Sequence, residues 1–368
     1  MSGNRSTGGA SRNSPSNSRD KKEHILVIRL SAMGDVAMLV PVLRVVTATY
    51  PHLKITVLTR KFFAPLFKGI PNVEVYDADV TGVHAGVIGL GKLAQELRDL
   101  EITAVADMHD VLRSNILKTV FCFYGLTVKQ INKGRTEKKE LTAFNNKVFK
   151  QLRSTHQRYA DVFSHLRYPI NLEDHSYPEK QKLSPNTREI TGKDLKKWVG
   201  IAPYAQHDSK VYPEDLLMQV LEDLEKDPNM KIFLFGGGKA EKQKLDQIAG
   251  NYKNTISLAG RLTFEEELAL ISNLDIMLSM DSGNAHLAAM YGIPVVSLWG
   301  VTHPFAGFKP FGQPMENSLF PDLHKYPAIP TSIYGNKVPV GYEEVMRTIA
   351  PQKVVEKIKN PLLPVGKT

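Results

Sequence analysis

From His24 onward the chain alternates short apolar runs with segments whose apolar residues recur at helical spacing. Ile25–Leu30, Ile55–Thr59, Val73–Tyr76 and Ala104–Met108 read as strands, with helices expected over Val36–Tyr50, Leu90–Leu100 and Ser114–Tyr124. In the first helix Val36, Leu39, Val40, Leu43 and Val46 share one face, and Pro41 is tolerable only near its start. The same rhythm restarts at Trp198–Ala202 and continues through strands at Lys231–Phe235, Thr255–Leu258, Asp275–Met280 and Val295–Leu298. Helices are expected between them at Pro213–Lys226, Lys239–Gly250, Thr263–Asn273 and Ala285–Met290, and again near Glu343–Ile349 and Pro351–Ile358. Thr263 followed by Glu266 three residues on is a capping box. Strand–helix–strand repetition with near-continuous apolar strands implies parallel sheets with right-handed crossovers. The polar, proline-bearing stretch 170–195 lacks periodicity and separates the two series. The pattern predicts two doubly wound α/β domains facing each other across a cleft, with ligands at the carboxyl ends of the strands.

The expected boundaries are an N-terminal domain over 23–175, a linker over 176–195 and a C-terminal domain over 196–345. Residues 346–368 form a C-terminal helix and tail, a candidate for packing back on the N-terminal domain. Residues 1–22, rich in Ser, Gly, Asn and Arg, read as a disordered tail without the apolar core of a secretory signal.

Composition sharpens the picture in a few places. A length of 368 residues exceeds one ordinary core, and 42% hydrophobic with 23% charged residues is the balance of a soluble globular protein. The lone Cys122 excludes a disulfide framework and a multi-cysteine metal site, and it suits the cytoplasm. No apolar run approaches the roughly 20 residues of a membrane helix. A net charge of +9 points to an anionic partner, whether a membrane surface, nucleic acid or a phosphorylated substrate. Part of it lies in the basic stretch 129–158, where Phe144, Phe149 and Tyr159 accompany the cations; a solvated surface fits that stretch as well as a binding face. Aromatic content of 8% without a stacking motif disfavours RNA, and no nucleic acid is expected.

Three loops carry candidate chemistry. Ser31–Asp35 follows the first strand, and a cleft carboxylate at Asp35 suits proton abstraction from a hydroxyl, though an ordinary helix cap fits the local sequence too. Lys210, just before a helix, can neutralise a diphosphate as a point charge or can simply be solvated. Asp281-Ser282-Gly283-Asn284 turns the chain from a strand into a helix, so backbone N–H groups and the positive helix end favour an anion there, with His286 in the first helical turn. The alternative is a plain βα turn capped by Asp281 and Ser282, with His286 at the surface. Gly236–Gly238 offers further contacts to a phosphate or ribose. No G-x-G-x-x-G fingerprint, Walker A loop, G-x-S-x-G elbow or paired His/Cys metal spacing is present, so a nicotinamide enzyme is disfavoured and a metal-free, cofactor-free mechanism favoured.

Across about residues 24–358 the chain resembles glycosyltransferase family nine, the ADP-heptose:lipopolysaccharide heptosyltransferases. The resemblance rests on Ile28-Arg29-Leu30-Ser31-Ala32-Met33-Gly34-Asp35 with Pro41 following, on Lys210-Val211-Tyr212-Pro213-Glu214, and on Asp281-Ser282-Gly283-Asn284-Ala285-His286-Leu287-Ala288-Ala289 with Gly292-Ile293-Pro294 and Trp299-Gly300 beyond. It implies a GT-B fold and an inverting, metal-independent sugar transfer from a nucleoside-diphosphate donor, with ADP-heptose the expected one. The implied acceptor is a lipopolysaccharide-core or related lipid-linked glycan, reached from the inner face of the inner membrane through a peripheral anionic surface. By matching position, Asp35 is the expected general base, Lys210 the expected diphosphate ligand, and Asp281, Ser282, Gly283 and His286 the expected diphosphate and sugar contacts. Gly236, Gly237 and Leu262 are candidate nucleotide contacts. The competing readings are a GT-B transferase or epimerase using another nucleotide sugar, and a non-catalytic nucleotide-sugar- or nucleic-acid-binding module.

Overall fold

The computed structural model describes residues 23–192 and 196–366; the tail expected over 1–22 lies outside them. The first sheet is built from β1 (His24–Ile28), β2 (Lys54–Thr59), β3 (Val73–Asp77), β4 (Ala104–Asp107) and β5 (Thr127–Gln130), in the order β3-β2-β1-β4-β5. The second contains β6 (Lys197–Ala202), β7 (Met230–Leu234), β8 (Thr255–Ser257), β9 (Ile276–Met280), β10 (Val295–Leu298) and β11 (Ser318–Leu319), in the order β8-β7-β6-β9-β10-β11. All pairings are parallel, with β1 between β2 and β4, and β6 between β7 and β9. Both sheets therefore reverse direction at their first strand, and a crevice opens there beyond the strand ends.

Successive residues of each strand feed different cores, because side chains alternate across the sheet. Leu26 and Ile28 of β1 pack with Leu90, Leu93 and Phe121 on the outer face, whereas Ile25 and Val27 join an inner cluster. On the second sheet Ile276 and Leu278 face outward against Leu217 and Leu221, while Met277 faces inward. The inner cluster is common to both halves: it contains Ile25, Val27 and Val36 from one and Leu287, Ala288 and Met277 from the other.

The helix expected over Val36–Tyr50 is two helices, Met33–Ala37 and Leu39–Thr49. The break lets Pro41 sit in the first turn of the second helix, where its missing N–H costs no hydrogen bond. The capping box is present: Thr263 N–H donates to Glu266 Oε2 at 2.9 Å and Glu266 N–H to Thr263 Oγ1 at 3.3 Å.

The helix Pro351–Lys359 packs against Glu214–Glu225 and the second sheet, and the tail beyond it reaches Tyr177, whose OH donates to Val365 O at 3.2 Å. The helix's stripe of Val354, Val355 and Ile358 fits beside Leu217, Val220 and Leu221, a face left open by the second sheet. The basic stretch 129–158 is not uniformly solvated: it contains the second half of β5, the helix Arg135–Leu141 and the start of Thr155–His165, with Lys138 and Arg158 buried. Within the linker, Ser184 caps a short helix Pro185–Thr191 by accepting from Thr187 N–H.

Candidate active site

The strand-end turns of the two domains meet. Helix Met33–Ala37 at the end of β1 lies against helix Gly283–Ala289 at the end of β9. Glycines make the approach close: a Cβ on Gly34 would stand 3.0 Å from His286 Cδ2 and 3.3 Å from Gly283 Cα. This contact brings Asp35 of the first domain to a cavity of about 160 Å³ also lined by Lys210, Asp281, Ser282, Gly283 and His286. Six sequence candidates from three distant segments thus share one chamber.

Asp35 is held by one oxygen. Its Oδ2 pairs with Arg29 Nη2 at 2.5 Å, while Oδ1 accepts no hydrogen bond among the described residues. Arg29 is buried and fixed in turn by donating from Nη1 to Met108 O at 2.7 Å. A buried guanidinium keeps the carboxylate oriented toward the cavity and leaves an oxygen to accept a proton. Tyr159 OH donates to the Asp35 carbonyl at 3.2 Å and pins the backbone of the same residue.

On the facing side, Lys210 is not a solvated lysine. Its side chain is 12% exposed and its Nζ lies 3.3 Å from Asp281 Oδ2, which also accepts from Thr302 Oγ1 at 2.9 Å. Asp281 therefore spends its Oδ2 on Lys210 and Thr302, and its side chain does not cap the helix. Ser282 occupies the N-cap position with extended backbone but makes no side-chain cap, its hydroxyl meeting Ser279 Oγ at 3.2 Å instead. The first N–H groups of the helix are left without a side-chain partner at the cavity, a polarity suited to an anion. His286 is buried, contrary to a surface reading, and burial lowers its pKa so that the imidazole is neutral. Its Nδ1 has no partner, which leaves that nitrogen available.

A second, larger cavity of about 580 Å³ adjoins through Gln206, Ser282 and Gly283, which line both. Gly236, Gly237 and Leu262 line this larger space, together with Glu241, Phe264 and Glu267. Glu241 is engaged, accepting Gly237 N–H at 2.7 Å. Among the described residues no group of three or more His, Cys, Asp or Glu is arranged to hold a metal ion, and no helix is long and apolar enough to cross a membrane.

Sequence reading missed Arg29, Thr302 and Glu267. Arg29 carried a signal, a cation at the end of an otherwise apolar strand. Thr302 and Glu267 reach the site only through tertiary approach.

Several solved structures share this architecture. Solved structures alike in fold include the glycosyl transferase family 9 from Veillonella parvula, with a TM-score of 0.71 at 18% identity over 92% of this chain and 96% of that one. The ADP-heptose lipopolysaccharide heptosyltransferase II of Escherichia coli aligns with a TM-score of 0.62 at 20% identity, covering 91% and 97%. These likenesses give the GT-B fold. In sequence, the lipopolysaccharide core heptosyltransferase OpsX of Haemophilus influenzae is 25% identical over 76% of this chain and 80% of that protein. Lipopolysaccharide heptosyltransferase 1 of Campylobacter coli is 23% identical over 76% and 84%. With residues 90–329 matching the model of glycosyltransferase family 9 (heptosyltransferase), and a carboxylate facing a lysine and an open helix start across the cleft of a GT-B fold, the chain belongs to that family of glycosyltransferases.

Proposed function

We propose that this protein transfers heptose from ADP-heptose to a lipopolysaccharide-core acceptor, with inversion at the anomeric carbon and without a metal ion. The observation that carries the reading is the shared chamber in which Asp35 of one domain faces Lys210 and His286 of the other. The names of the relatives supply the donor and the acceptor class: one similar solved structure is an Escherichia coli heptosyltransferase with ADP, with a TM-score of 0.60.

In this reading the diphosphate lies at the Ser282–Gly283 turn and the nucleoside in the larger cavity, against Gly236, Gly237 and Leu262. Asp35 Oδ1 takes the proton of the acceptor hydroxyl as its oxygen bonds to the anomeric carbon. The bond from that carbon to the phosphate oxygen breaks on the opposite face, and ADP leaves with the electron pair. Negative charge grows on the leaving phosphate, where Lys210 and the helix N–H groups stabilise it. Asp281, an acceptor when ionised, positions Lys210 and takes sugar hydroxyls; it does not meet phosphate oxygens directly. Neutral His286 donates a hydrogen bond without adding charge. The exposed cations of the stretch 129–158, Lys129, Lys139 and Lys150 among them, meet the phosphates of the acceptor or of the membrane surface that carries it.

The test is Asp35→Ala with ADP-heptose and a purified core acceptor. Transfer should fall by roughly 100-fold or more while donor affinity stays within about twofold, the range for loss of a positioned base. Full activity in that variant would remove Asp35 as the base. NMR of the product should show the anomeric configuration opposite to that of the donor.

A further inference from the structure

The larger cavity contains a carboxylate that the transfer chemistry leaves unused. Glu267 sits in the first turn of Phe264–Ile271, half-buried, and makes no hydrogen bond or ion pair among the described residues. Its neighbours in sequence have other work: Glu266 closes the capping box, and exposed Glu265 pairs with Lys68 at 2.5 Å. Helix-dipole stabilisation accounts for a solvated acid in a first turn but does not require burying one. An unpartnered carboxyl facing a cavity is the kind of polar group that fixes a ligand's orientation.

The surroundings say which part of a nucleotide it meets. Ser282 and Gly283 line both cavities, whereas Leu262, Phe264, Glu267 and Phe62 line only the larger one. Phe62, from the other domain, stacks on Phe264 with centroids 4.6 Å apart and planes at 21°, so an apolar aromatic surface adjoins the carboxyl. A flat heteroaromatic ring fits an apolar wall with one polar group at its edge; a polyhydroxylated sugar does not. Resting on the donor reading above, we propose that Glu267 is the base-reading residue, its carboxyl oxygen accepting a hydrogen bond from the exocyclic amino group of adenine. Burial pushes this carboxyl up to about 7, which limits its repulsion of the diphosphate bound at the adjoining Ser282–Gly283 turn.

Calorimetric titration of the full chain with ADP and with purine riboside 5′-diphosphate, which lacks only the amino group, tests this. Wild-type protein should bind ADP roughly 3- to 10-fold tighter than the deamino analogue, the value of one hydrogen bond. In Glu267→Leu that preference should shrink to about one, and in Glu267→Gln, whose amide carbonyl still accepts, it should persist. An unchanged preference in Glu267→Leu with ADP binding intact would overturn the assignment of Glu267 and leave the donor reading standing. A wild-type protein that binds neither ligand would overturn the donor reading, and this assignment with it.

Discussion

At the scale of single residues the site depends on charges that hold one another in place. Lys210 is paired with Asp281, so removing the lysine takes a cation from the diphosphate and also frees a carboxylate to repel it. Lys210→Ala should therefore weaken ADP binding by roughly 10- to 100-fold, the worth of a charge-assisted contact. Adding Asp281→Asn should recover part of the loss, which titration of the double variant would measure. Glu267 makes a separate prediction through stability. Its folded pKa of about 7 lies above the 4.5 of a free glutamate, so the unfolded chain gives up this proton first as pH rises. The folded state loses stability between those two values, and the penalty is complete above the upper one. Glu267→Gln should raise the melting free energy at pH 8 by about 1–3 kcal/mol and leave it nearly unchanged at pH 4. Denaturant titrations at the two pH values would check the sign.

At the scale of elements, two short helices set the distance between the catalytic halves. Gly34 has no room for a methyl group, because the His286 ring and the Gly283 backbone occupy the space. Gly34→Ala must move His286 or the turn by a few tenths of an ångström. Steady-state kinetics should show a drop in kcat of roughly tenfold, as small misplacements of reacting groups cost rate steeply, with Tm little changed. The turns that make this contact were legible in the sequence, since apolar runs ending in Gly, Ser and Asp mark strand ends. The strands that escaped were at the margins. In β5, Thr127-Val128-Lys129-Gln130 leaves Thr127 and Lys129 exposed at the sheet edge, so no apolar run announces it. The two residues of β11 are too few to carry any period. The helix Pro185–Thr191 has a Ser-Pro start that could have been read, but its seven residues complete barely two turns. The same limit governed the site: Asp35, Lys210 and His286 stand beside turn signals, whereas Glu267 looks like any first-turn acid until the fold buries it.

At the scale of the whole molecule, the outer faces of the two sheets are each covered by their own helices, but the inner faces drain into one apolar cluster from Ile25 and Val27 to Leu287 and Ala288. Neither half retains a closed interior if the other melts, because separating them exposes part of that cluster to water. A differential scanning calorimeter should accordingly register a single heat-absorption peak, with van't Hoff and calorimetric enthalpies in agreement; two resolved peaks would contradict this. Ligand seated between the halves should then move that one peak as a unit, so that occupancy by the nucleotide becomes readable as the thermal resistance of the entire chain.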